Sequence, residues 1–120
     1  MSSSELVLLT PVLFTVLFLI VQFGLWYHSA QVATSAAREG LRATRSFRGS
    51  TAAGEKRAND YLDRLGRGSL SGATVRATRD VATGQAMVIV DGTAPNLVPF
   101  LHLGIHEVAR GSIEPTILTP

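Results

Sequence analysis

From Leu6 to Tyr27 the chain reads LVLLTPVLFTVLFLIVQFGLWY, with no charged side chain. As a helix these roughly 22 residues rise about 33 Å, enough to cross a bilayer. Trp26 and Tyr27 close the run. Amphipathic aromatic rings favour the headgroup level, so they mark the far membrane interface, and His28 begins the aqueous part. A cleavable signal peptide is the competing reading. It fits poorly, because no basic residue precedes the run and signal h-regions span only roughly 7 to 15 residues.

Pro11 removes a backbone donor and crowds the carbonyl of Val7, which predicts a kink one turn into the segment. Alternatively Thr10 caps a helix restarting at Pro11, leaving Glu5 to Leu9 as a separate turn.

Beyond Tyr27 the run HSAQVATSAAREGLRATRSF is rich in helix formers, so one continuous helix to about Phe47 is expected. Ala30, Ala33, Ala37, Leu41 and Thr44 recur at three and four and form one stripe. Ala33, Ala37 and Gly40 permit close helix packing, either under the chain's own sheet or against a neighbouring helix. Arg38, Arg42, Arg45 and Arg48 form a basic stripe on another face. That stripe is either solvated or meets lipid phosphates and acidic neighbours, with Glu39 and Glu55 partly balancing it.

The pattern then changes. Gly49 to Gly54 is a loop by composition, and Ala58, Tyr61, Leu62 and Leu65 define a short amphipathic helix over 55–66, ended by Gly66 and Gly68. Thr74 to Arg79 alternates as a half-exposed strand, and residues 86–90 (AMVIV) form its more buried antiparallel partner through a hairpin carrying Gly84. Asp91 to Pro99 holds too many breakers for regular structure, and a third strand lies within Ile105 to Ile113. The expected fold is α+β: a long N-terminal transmembrane helix extending into a small domain with a short helix and about three antiparallel strands. Residues 1–28 form the membrane span and 29–120 the domain, with 29–48 continuing the long helix and 73–114 forming the sheet.

Composition narrows function. A net charge of +2 is too weak to imply nucleic acid. Without cysteine, a disulfide scaffold and a cysteine-ligated zinc site are excluded. About ninety residues after Tyr27 are only just enough for independent folding. His102 and His106 have a zinc-ligand spacing if helical, but Pro99 and Gly104 oppose a helix and no third ligand is evident. No phosphate-cradling loop, nucleophile elbow or cysteine nucleophile occurs. Asp60 and Asp63 read as solvated acids.

All 11 basic residues lie at or beyond Arg38. The positive-inside rule alone would make that side cytoplasmic. A basic leader removed from before Met1 would reverse the assignment.

The stretch SELVLLTPVLFTVLFLIVQFGLWYHSAQVATSAAREGLRA resembles the TadE-like family of pseudopilins, through Glu5, the early Pro11 and the AAREG segment at 36–40. The resemblance implies a minor pilin-like, non-enzymatic subunit of the Tad (Flp) type IV pilus machinery, without cofactor. Its partners would be other pilin or pseudopilin subunits, a prepilin peptidase and membrane lipid, with the C-terminal domain extracytoplasmic. With Met1 as the mature first residue, the Glu5 carboxylate would pair with a neighbour's N-terminal amine, offsetting the cost of a carboxylate beside lipid. Ser2 and Glu5 alone also satisfy a capping box. An unprocessed single-span membrane adaptor and a small zinc hydrolase using His102 and His106 are the alternatives.

Overall fold

A computed structural model describes residues 2–46, 49–65, 68–96 and 103–113. Helix α1 runs unbroken over Ser3–Arg45, 43 residues or about 65 Å of rise. Helix α2 (Thr51–Leu65) follows, then strands β1 (Ser71–Asp80), β2 (Gln85–Thr93) and β3 (Gly104–Ser112). The strands form an antiparallel meander in the order β1-β2-β3. The molecule measures 80 × 23 × 21 Å, because only the upper part of α1 is covered by the domain. The fold is α+β, as the periodicities predict.

Alternation decides which face of the sheet is covered. Ala77, Ala86, Val88, Val90 and Ile105 are buried against Ala33, Ala36, Ala37 and Leu41 of α1. Thr74, Arg76 and Thr78 are exposed on the opposite face. Small residues let the layers approach closely. At Gly40, an added Cβ would stand 2.8 Å from the Gly54 carbonyl and 3.0 Å from Ala58 Cβ, so α1 and α2 cross nearly backbone to backbone.

That crossing corrects the loop expected over Gly49 to Gly54. Helix α2 starts at Thr51, where the Ser50 hydroxyl accepts the Ala53 amide at 3.0 Å as an N-cap. Gly54 is a buried helical residue whose missing side chain makes room for Thr44; a Cβ there would lie 1.7 Å from Thr44 Oγ1. At the other end Gly68 takes φ +82° in the turn before β1, while Gly66 lies outside the described residues, as does Phe47 beyond the end of α1.

The expected break over Asp91 to Pro99 is corrected for its first part. Strand β2 continues through Thr93, with Asp91, Gly92 and Thr93 opposite His106, Ile105 and Gly104. Gly92 is kept in the ladder because its bare Cα accommodates Leu70; a Cβ would meet Leu70 Cδ2 at 2.7 Å. The hairpin occupies 81–84, with Gly84 at φ +70°.

Strand β3 lies along α1. The Trp26 indole donates to the Gly104 carbonyl at 3.4 Å, and Arg45 Nε donates to the Ser112 carbonyl at 2.9 Å. About 28 Å of helix rise between Trp26 and Arg45 matches about 27 Å of strand between Gly104 and Ser112. The outer edge of β1 is stitched elsewhere: the Ala77 amide donates to Glu55 Oε1 at 3.2 Å, and the Arg79 guanidinium donates to the Gly49 carbonyl.

Candidate functional site: the uncovered half of the long helix

Every described residue of α1 from Ser3 to Val21 is exposed. Leu8 is 73% exposed and Val7 70%, in a stretch that is apolar on all sides. An all-round apolar helix belongs in lipid or among other helices. By length and composition α1 is able to cross a membrane.

The start of this half is closed by a capping box. The Ser2 hydroxyl accepts the Glu5 amide and Glu5 Oε2 accepts the Ser2 amide, each at 3.3 Å. The carboxylate of Glu5 is therefore engaged within its own chain. Met1, the other residue read as an assembly contact, lies outside the described residues.

Pro11 lies inside the continuous helix, and Thr10 does not begin a new one. Thr10 donates its hydroxyl back to the Leu6 carbonyl at 2.7 Å, and Thr15 donates to the Pro11 carbonyl at 2.8 Å. A restart is unnecessary because Pro11 removes one donor while its neighbours keep helical geometry, and both hydroxyls are satisfied without water.

Burial begins at Gln22, within the segment assigned by sequence to the membrane. Its side chain is 1% exposed, and Nε2 donates to the Pro95 carbonyl at 2.8 Å. Sequence reasoning passed over this residue. Its signal was available: Gln22 carries the one side-chain amide in the run from Leu6 to Tyr27. Phe23 packs against Trp26 with ring centroids 5.9 Å apart. Trp26 is half-buried against the core, whereas Tyr27 is exposed.

Ala33, Ala37 and Gly40 are buried by the chain's own sheet and α2. The arginines do not act as one stripe. Arg38 is exposed; Arg42 lies 3.5 Å from Glu39, which also approaches Arg57 at 3.6 Å; and Arg45 is drawn to β3. Arg48 lies outside the described residues. Glu55 does not balance them, since it turns to the β1 edge. Both pairs join an exposed arginine to the partly exposed Glu39, and each is worth no more than about 1 kcal/mol.

His106 sits on β3, where it faces Asp91 across the ladder and pairs with its carboxylate. A helical His pair is thus not available, and His102 lies outside the described residues. Among the described residues no cluster of three His, Asp or Glu side chains is gathered.

The geometry defines a class: a helix-led α+β chain whose first helix projects a bare apolar half beyond a small sheet domain. The family model for TadE-like protein matches residues 1–42, nearly the whole of α1. No curated protein and no solved structure matches the chain.

Proposed function

We propose that this chain is a pilin-like structural subunit of a Tad (Flp) pilus assembly system, a pseudopilin rather than a catalyst. Residues 1–28 hold it in the cell membrane, 29–120 form an extracytoplasmic domain, and incorporation uses helix packing along the apolar half of α1. The observation carrying this reading is that half itself: a membrane-length apolar helix, exposed all round, inside the TadE-like match. Because Ala33, Ala37 and Gly40 are occupied within the chain, the surface left for neighbouring subunits is Leu6 to Val21. A bend at Pro11 adjusts that surface. Other pilins or pseudopilins, membrane lipid and, during maturation, a prepilin peptidase are its partners; no nucleic acid is bound directly.

Glu5 is the assembly contact in this reading. Its carboxylate exchanges the Ser2 amide for the N-terminal ammonium of an adjacent subunit, a stronger partner in an apolar setting. Two substitutions separate this role from capping. Glutamine keeps a capping box while removing the charge, and alanine removes both. Loss of piliation and of subunit crosslinking in both Glu5→Gln and Glu5→Ala supports assembly. Normal piliation in Glu5→Gln with a defect in Glu5→Ala reduces Glu5 to a cap. Normal piliation and association in both variants would remove Glu5 from assembly and favour a single-span membrane adaptor, which N-terminal sequencing of the native protein would then check for an unprocessed start.

A further inference from the structure

The uncovered apolar run of α1 is short for its task. Leu6 to Val21 rises about 24 Å, whereas the hydrocarbon layer is about 30 Å thick. The missing 6 Å or so corresponds to about four more residues, which brings Trp26 to the boundary and leaves Gln22 roughly one turn inside it. Both residues are already tied to the domain. Gln22 holds the Pro95 carbonyl at 2.8 Å and Trp26 the Gly104 carbonyl at 3.4 Å, so Pro95 shares the depth of Gln22, and Gly104 that of Trp26.

The rest of this end of the sheet is composed for such a place. None of its described residues, 92–96 and 103–106, is Asp, Glu, Lys or Arg, while Arg45, Arg79, Asp80 and Arg110 gather toward the opposite end. Phe23 and Tyr27 remain 64% and 55% exposed beside it. Gln22 would be costly within hydrocarbon without a partner, and the Pro95 carbonyl supplies one.

We propose that the membrane-proximal end of the sheet, at Pro95, Asn96 and Leu103, is seated at the boundary between the phospholipid headgroups and the hydrocarbon, reaching about one helical turn below the Trp26 ring. The domain then rests on the bilayer in one attitude instead of swinging on a stalk. This inference depends on α1 spanning the membrane, and the experiment separates the two ideas.

The chain has no cysteine and a single tryptophan, so reporters are placed one at a time on the full chain in phosphatidylcholine vesicles. Nitroxide labels at Asn96→Cys, Val81→Cys and Phe14→Cys are compared by the ratio of collisions with oxygen to collisions with a water-soluble nickel chelate. The expected ratio at position 96 is roughly three-fold or more above that at 81, and approaches that at 14. Position 96 as aqueous as 81, with 14 in lipid, overturns the seat and leaves the span intact. Position 14 in water overturns both. Positions 81 and 96 equally in lipid also overturn the seat. Trp26 of the unmodified chain is a second measure that needs no variant: strongest quenching by lipids brominated near the headgroup is expected, and the absence of quenching at every bromine depth overturns the proposal.

Discussion

The two halves of α1 invert the usual relation between hydrophobicity and burial. Below Gln22 the helix carries leucine, valine, isoleucine and phenylalanine, and all of them are exposed. Above it four of the nine buried positions are alanine and three more are glycine, serine or threonine, with only Val32 and Leu41 larger. Side-chain size accounts for the difference. A sheet and a second helix must approach α1 closely, and bulky residues would hold them off. Lipid imposes no such limit, and there bulk adds apolar area at roughly 25 cal/mol per Å². The burial of a helix face is thus set by what must come near it, not by how apolar it is.

This contrast is open to direct attack. The largest effect is expected from Leu13→Arg in the exposed half, which should weaken membrane insertion by about 3 kcal/mol while leaving the domain's unfolding midpoint in detergent unchanged. Vesicle flotation and urea titration measure the two quantities. A fall in domain stability of similar size would mean that the lower half takes part in the domain's cooperative unit.

Next comes Gly54→Ala. Its new methyl would overlap Thr44 Oγ1 and crowd the Gly40 carbonyl, so α2 must shift. Overpacking of about 3 kcal/mol, less about 1 kcal/mol from better helix propensity, leaves a net loss near 2 kcal/mol in thermal or urea unfolding. A third variant, Gln22→Leu, keeps bulk but leaves the Pro95 carbonyl without that amide donor, and about 1 kcal/mol should be lost. Hydrogen exchange at the ends of β2 and β3 should rise in that variant; unchanged protection would make the Gln22 contact incidental.

The smallest effect carries the opposite sign. At Gly24 nothing lies within 4 Å of an added Cβ, so Gly24→Ala should stabilise by about 0.8 kcal/mol through helix propensity alone. Equal signs for Gly24→Ala and Gly54→Ala in parallel unfolding curves would refute the claim that close approach of a neighbouring element decides what a helix position tolerates.

Much of the architecture was legible because it rests on local periodicity. The apolar run, the stripe at Ala33, Ala37 and Leu41, the alternation over Thr74 to Arg79 and the glycine of the 81–84 hairpin each report the repeat of one element. The misreadings share a cause. Gly54 and Gly92 looked like breakers because glycine is intrinsically poor in helices and strands. Both are retained inside regular elements because a distant residue, Thr44 or Leu70, fills the space a side chain would take. For the candidate site, the apolar surface and the capping box could be read from spacing. Engagement of the small-residue stripe by the chain's own α2 could not, since an alanine face looks the same whichever partner covers it.

By itself the sequence determined that a long apolar-to-alanine helix leads the chain, that a short helix and three strands follow, and that Ser2 and Glu5 can close the first turn. These are consequences of repeat, length and side-chain chemistry within single segments. Only the tertiary structure decided where along α1 the domain begins to grip, which arginines are held, and which half of the helix is left for other molecules. Those outcomes depend on groups far apart in the chain, such as Gln22 with Pro95 and Arg45 with Ser112, and packing alone brings them within reach.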